Sequence, residues 1–450
     1  LTNALGDRGY AFVQVNPTVK RNVDTHTIDV TYDVKEGPEV YVERIDITGN
    51  LRTQDRVIRR EFRLVEGDAF NTTKLDRSKQ RLNNLGFFKK VDITNDPGSA
   101  PDKTIIHVNV QEQSTGEFQV GIGYSTTDGP LANIGIHERN LLGEGQDLRL
   151  DTTVAYRTRQ VDLSFTEPYF LDRDLAAGFD LFALQNDYTN FAGYVETSYG
   201  GSLRAGYQFT EALRQTLSYT LRQDQVSDIV PGASPFIVDQ AGSRLASIVG
   251  QALLYDKRDN RLQPTSGYFA SYTTDIAGAG GQVFFLRNGV SGGYYYPVAT
   301  DWVASLTGSA GNIRGLGQGV RIEDRYFIGG DNFRGFASGG IGPRDVSTGQ
   351  ALGANTFWTG NVSLSMPLGL PKEFGLSGHV FSDFGSAWGF DDTNPTTDTI
   401  EDVRSIRVSA GYGFSWQSPL GPLRLDLAVP VVRQPFDKRQ FFRVGFGSNF

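Results

Sequence analysis

From Gly116 to its end this chain repeats one pattern. Apolar and polar residues alternate along short segments, and none of these segments is a long apolar run. In the final segment Phe442, Val444, Phe446 and Phe450 share one parity, while Arg443, Gly445, Gly447 and Asn449 share the other. Successive side chains of a strand point to opposite faces, so such a strand is apolar on one face and polar or small on the other. Phe118, Val120, Ile122 and Tyr124 share a face in the same way. Leu423, Leu425, Leu427 and Val429 do so too, with Arg424 and Asp426 turned to the water side. A soluble sandwich would explain one such strand. About sixteen of them point to an antiparallel barrel closed on itself, with lipid outside and water inside.

Composition removes the competing classes. With no cysteine there is neither a disulfide framework nor a cysteine metal site, and a net charge of −8 argues against a general nucleic-acid binder. No stretch approaches the ~18 apolar residues of a transmembrane helix, so a spanning chain of this kind must span with strands. The 53 glycines, 30 phenylalanines and 19 tyrosines suit curved strands and aromatic girdles. Turn signals alternate between short ones, such as Gly143-Glu144-Gly145 and Ser418-Pro419-Leu420-Gly421, and long ones, such as 225–242. Short turns on one side and long loops on the other are the pattern of outer-membrane barrels.

The first ~113 residues differ, with denser charge and helical periods, and they contain a repeat. Leu5-x-x-x-Gly9-Tyr10 recurs as Leu82-x-x-x-Gly86-Phe87, and Val34-Lys35-Glu36 as Val110-Gln111-Glu112. The offset of about 76 residues is that of a small domain. The second unit is predicted to run strand (40–48), helix capped by Thr53, helix capped by Thr73 and ended near Gly86, then strands at about 87–94 and 103–112. The first unit lacks its opening strand and helix, and the chain begins at Leu1 without a signal peptide; the expectation is a fragment of a longer, exported protein.

His26, His107, His137 and His379 are far apart and show no metal-ligand spacing, and the carboxylates form no recognisable catalytic pair, so neither a metal nor an enzymatic role is expected. Arg56, Arg59, Arg60 and Arg63 read as a solvated or partner-contacting face. The Gly-rich segment of about 315–352 is too long for an ordinary connection, and its plain reading is a mobile surface loop. Closure of a barrel requires the first strand (about Gly116–Tyr124) to pair with the last (about Gln440–Phe450). Gly445 and Gly447 weaken that last strand, since glycine adds entropy cost and no packing; curvature alone would also account for them.

Several residue runs together resemble the BamA family, the POTRA-plus-barrel insertases of the outer membrane. They are Gly49-Asn50, Val57-Ile58-Arg59-Arg60-Glu61, Arg81-Leu82-Asn83-Asn84-Leu85-Gly86-Phe87-Phe88 and Gly121-Ile122-Gly123-Tyr124. Gly329-Gly330, Phe333-Arg334-Gly335-Phe336, Ile341-Gly342-Pro343 and Ser418-Pro419-Leu420-Gly421-Pro422-Leu423 follow in the family's order. The resemblance implies a mainly β chain: a 16-stranded antiparallel transmembrane β-barrel preceded by small β-α-α-β-β POTRA domains. Residues 1–37 would be the C-terminal part of a truncated POTRA domain, 38–113 a complete one, and 114–450 the barrel. It implies that the loop at about 315–352 folds inward and is anchored by Phe333, Arg334, Gly335 and Phe336, with Asp383 as the acid for Arg334. Phe333 stands where the family usually has Val, and Ser365 where it often has a second acid. The seam would be a lateral gate lined by Phe118, Val120, Ile122, Tyr124, Phe442, Val444, Gly445, Phe446, Gly447 and Phe450. The implied work is folding and insertion of barrel proteins at the outer membrane, with the POTRA domains in the periplasm and without catalysis or cofactor. The implied partners are unfolded outer-membrane proteins, outer-membrane lipid and accessory lipoproteins such as BamD on the POTRA domain. A secretion transporter of the same superfamily is the alternative, and a plain diffusion porin a weaker one.

Overall fold

The computed structural model describes residues 7–8, 10, 14–22, 26–35, 39–391, 399–418 and 421–446. Of the features singled out in the sequence, Leu1, Leu5, Gly9, Glu36, Pro419, Leu420, Gly447, Asn449 and Phe450 lie outside the described residues. The chain divides into two compact units: residues 1–117 with 137–148, and residues 118–136 with 149–450.

In the first unit the predicted β-α-α-β-β order is present. Strand Tyr41–Thr48 is followed by helices Asp55–Arg59 and Thr72–Asn84, then by strands Phe88–Pro97 and Lys103–Glu112. The central strand Lys103–Glu112 runs parallel to Tyr41–Thr48 and antiparallel to Phe88–Pro97. Val57, Ile58, Leu82, Ile106 and Val108 form the fully enclosed centre of its core. A two-stranded hairpin, Gln14–Asn22 with Thr27–Lys35, precedes it.

Both predicted helix caps are displaced. The Thr53 amide donates to Glu112 Oε1 at 2.7 Å, so Thr53 belongs to the turn, and the helix starts at Asp55 without a side-chain cap. The second helix is capped by Asn71, whose Oδ1 accepts from the Lys74 amide at 2.8 Å. Thr73 is already inside the helix, and its hydroxyl and amide both donate to Asp7. Gly86, at φ +70°, takes the left-handed conformation that ends the helix. Of the arginine run, Arg59 pairs with Glu66 at 2.6 Å and donates to the Ile45 carbonyl.

The second architecture is a closed barrel of sixteen strands, from Gly116–Ser125 to Phe442–Phe446, each paired with its neighbour in sequence and the last paired with the first. No helix among the described residues is long and apolar enough to cross a membrane. The wall itself carries the lipid signature. Phe118, Val120, Ile122, Leu306, Val362 and Tyr412 are exposed on its outside, where the alternation put the apolar parity. Facing inward are Thr307, Ser309, Thr359 and Ser363, around a lumenal cavity of about 850 Å³.

The segment 316–355, between strands Trp302–Gly315 and Thr356–Pro367, is not a mobile surface loop. Ile328, Phe333, Phe336 and Ile341 are buried together with Ala354 of the same segment and against Ala387 of the wall. Farther out, Ile322 and Leu352 pack with Tyr194, Phe236 and Ile237 from two other loops. Backbone pairs tie the segment to further connections: Gly335–Phe336 to Arg439–Gln440, and Arg344–Asp345 to Ile400–Glu401. A connection with its own apolar core and its own ladders is a folded element.

Candidate functional site: the inward loop and the barrel seam

The tip Phe333-Arg334-Gly335-Phe336 lies against the inner wall. Arg334 donates through its backbone amide and Nε to Asp383 Oδ2, both at 2.9 Å, and through Nη2 to Oδ1 at 2.7 Å. Two parallel side-chain bonds make this a fork on a carboxylate, the strongest geometry available to the pair. Both residues are buried. The guanidinium also lies over the Phe381 ring, 3.3 Å from its centroid. Asp383 is held in turn by the amide of Asn361, one strand away.

The second acid, missing at Ser365, comes from Asp426. Its carboxylate is 4.0 Å from Arg334 Nη1, 2.6 Å from His379 Nε2 and 2.9 Å from Arg424 Nε. By alternation alone Asp426 would simply face water. It is instead buried within a charged network, because the tip covers this part of the wall. Gly335 explains the Arg-Gly order. Its φ is +87°, and an added Cβ would press on Ser409 of the wall. Phe333 and Phe336 sit edge to face, 5.3 Å apart, and anchor the tip from its apolar side.

A second polar contact holds the ascending limb of the loop. Arg222, on strand Leu213–Ser227, donates to Asp224 at 2.7 Å and to Asp324 of the loop at 2.8 Å. Beside it, burial pushes the Glu323 carboxyl up to about 7, and the Asp324 charge adds to the shift. Neither Asp426 nor the Arg222 clasp was found from sequence. The Asp324 partner of Arg222 is 102 residues away and the His379 partner of Asp426 is 47 away, and alternation marks only that Arg222 and Asp426 face inward.

At the seam, Phe118, Val120, Ile122 and Tyr124 of the first strand are exposed on the lipid side, as is Phe442 of the last. Among the described residues the last strand is Phe442–Phe446, and the first is Gly116–Ser125. Within the described residues their ladder consists of Gly445 opposite Ser125 and Phe446 opposite Tyr124, with the Thr126 amide donating to the Val444 carbonyl at 3.1 Å. Gln440, expected inside the last strand, pairs instead with Gly335 of the inward loop. Val444 and Phe446 pair on their other side with Leu425 and Leu423.

A domain model described as the Omp85 superfamily domain matches residues 140–450, well over half of the sequence. The chain belongs to the Omp85 superfamily. The POTRA model, described as surface antigen variable number repeat, matches residues 1–37 and 40–113 of this Omp85 chain. The outer membrane protein assembly factor BamA of Neorickettsia risticii (strain Illinois) is 34% identical, over 100% of this chain and 60% of that protein. The protein of the same name from Neisseria meningitidis serogroup B is 28% identical, over 100% of this chain and 62% of its own length. This Omp85 chain thus spans about three fifths of the curated relatives it matches. The crystal structure of BamA from Haemophilus ducreyi lacking POTRA domains 1–3 superposes with a TM-score of 0.81 at 25% identity, covering 99% of this chain and 91% of that one. The resemblance to the BamA family read from the motifs agrees with these relatives. Like them, this Omp85 protein belongs to the outer membrane, with its POTRA region on the periplasmic side.

Proposed function

We propose that this chain folds and inserts other β-barrel proteins into the bacterial outer membrane, using the seam as a lateral gate that templates substrate strands. The observation that carries this reading is the seam itself, where Arg439–Gln440 pair with the inward loop, and the described part of the last strand, Phe442–Phe446, meets the first strand at Gly445–Ser125 and Phe446–Tyr124. In lipid every unpaired backbone donor and acceptor costs several kcal/mol. An opened first strand therefore offers an edge on which an incoming strand gains by β-augmentation. Phe118, Val120, Ile122 and Tyr124 would meet lipid while their backbone pairs with the newcomer, and Gly445 and Gly447 would ease release of the last strand. Folding of the substrate supplies the driving force, so no catalytic chemistry and no cofactor enter. In this reading residues 1–37 and 38–113 are POTRA-type and residues 114–450 form the barrel. The loop tip at Arg334 and Asp383 keeps the barrel's shape while the seam works. The partners are unfolded outer-membrane proteins, membrane lipid and accessory lipoproteins such as BamD on the POTRA domain; nucleic acid has no part.

The names of the relatives support the assembly role, and the geometry of the seam supports the gate. The test is a disulfide between cysteines at Tyr124 and Phe446, paired positions in a chain without native cysteine. Oxidised protein should remain a folded barrel and lose the ability to insert new barrels into vesicles; reduction should restore it. Insertion at the normal rate with the seam locked would overturn the gate and favour secretion through the lumen.

A further inference from the structure

The last strand is fastened to the inward loop as well as to the wall. Just before it, Gly335 pairs with Gln440 and Phe336 with Arg439. The Ala337 amide donates to the Lys438 carbonyl and the Lys438 amide to the Gly340 carbonyl, each at 3.0 Å. One residue, Phe441, separates this ladder from the strand Phe442–Phe446. Within that strand Arg443 turns to the lumen and forms an ion pair with Asp331, at the loop tip. Arg443 Nη2 also donates to the Thr127 hydroxyl at 2.9 Å, and that hydroxyl donates to Asp331 Oδ2 at 3.2 Å. Thr127 lies in the turn directly after the first strand, Gly116–Ser125. Three side chains from the first hairpin, the last strand and the inward loop thus meet at the seam.

We propose that Arg443, Asp331 and Thr127 form a clasp through which the seated loop holds the seam closed. Arg443 is a positioning residue. Its side chain is 8% exposed, so its charge needs an anion beside it, whereas Asp331 is 71% exposed and leaves with the loop. Withdrawal of the loop takes away the carboxylate that links Arg443 to Thr127, and the last strand is then held to the first by its backbone ladder without this side-chain link. The coupling is reciprocal: a parted seam removes Thr127 and Arg443 from Asp331 and loosens the loop. The clasp regulates the gate of the proposed function and rests on that reading. It concerns only this protein's own strands.

The experiment reads opening directly, by amide hydrogen exchange of the full chain in lipid nanodiscs with no substrate present. Asp331→Ala should speed exchange of the amides at 122–126 roughly tenfold, the size of one lost charge-assisted hydrogen bond in a partly buried site. Asp331→Glu should return it toward the parent rate. In an Arg443→Gln background Asp331→Ala should add little, because the partner is already gone. Conversely, the Tyr124–Phe446 disulfide should slow exchange of the loop at 328–341. Unchanged seam exchange in Asp331→Ala, or independent addition of the two substitutions, would overturn the clasp. Asp331 is exposed, so its replacement leaves folding intact, and unchanged heat-dependent migration of the barrel confirms this in each variant. Insertion of new barrels is measured separately. A clasp that fails while locked protein still loses insertion leaves the gate standing, and the reverse result leaves the clasp.

Discussion

At the scale of the residue, Arg334 and Glu323 place opposite demands on the same loop. Arg334 satisfies Asp383 with two side-chain bonds, a backbone amide and a ring beneath its cation. Arg334→Ala leaves a buried carboxylate without its partner, a loss of about 3–5 kcal/mol. Arg334→Lys keeps the charge and loses the planar fork, so it should rescue poorly. The measurement is protease cleavage within 316–355 on folded protein: rapid for Ala, intermediate for Lys, slow for the parent. Uniform resistance would show that the apolar tip alone seats the loop. Glu323 acts through its proton. Seated, its pKa is raised to about 7; released into water, it returns toward the ordinary value of 4.5. The seated state therefore binds the extra proton between those values. Seating is undiminished below about 4.5, weakens as pH rises from there to about 7, and changes no further above. Cleavage should accelerate from pH 5 to 7.5 in the parent and lose this dependence in Glu323→Gln.

At the scale of the element, a strand is committed by parity. Leu306 and Thr307 are neighbours on the strand Trp302–Gly315, yet Leu306 is exposed on the lipid side and Thr307 lines the lumenal cavity. Leu306→Arg should cost on the order of 2–4 kcal/mol near the midplane, and Thr307→Arg far less. Refolding into vesicles from urea, titrated for each variant, checks the difference; equal costs would mean that the faces are misassigned. Leu425 and Asp426 form a poorer comparison. Replacing Asp426 also breaks its bonds to His379 and Arg424, so its cost reports the network as much as the face. The helices of the first unit show how local signals compete. Thr53 and Thr73 are both good cap residues, yet Glu112 claims one and Asp7 the surroundings of the other. The cap passes to Asn71, which reaches the Lys74 amide from the right distance.

At the scale of the whole molecule, the barrel's interior is divided between a folded plug and a polar cavity. The loop's apolar residues pack with those of neighbouring connections at its outer part, while hydroxyls and the Arg334 network surround the lumen. An unplugged sixteen-stranded barrel would conduct as an open pore. Planar-bilayer recordings should accordingly show small, infrequent openings for the parent, and large steady currents once residues 316–355 are replaced by a short turn. Large currents from the parent itself would mark a diffusion channel and count against the insertion reading.

Alternation by itself determined the barrel, its orientation of faces and its approximate strand number, because the side-chain period of a strand is local and the lipid imposes one chemistry on every outer position. The repeat and the approximate helix positions were legible from short sequence patterns, whereas the Phe-Arg-Gly-Phe tip, like its acid, was legible only through the family resemblance. Asp383 could be named through the family resemblance. Asp426, Asp331, Thr127 and Arg222 could not, since the first and last are ordinary polar residues on strands and the other two ordinary polar residues of connections until the chain closes. Residues 127 and 443 meet only because the barrel returns the last strand to the first. The same closure decides that Gln440 bonds to a loop a hundred residues upstream rather than extending the final strand. An inward carboxylate becomes a specific partner when a buried guanidinium arrives beside it, and only the tertiary structure brings one there.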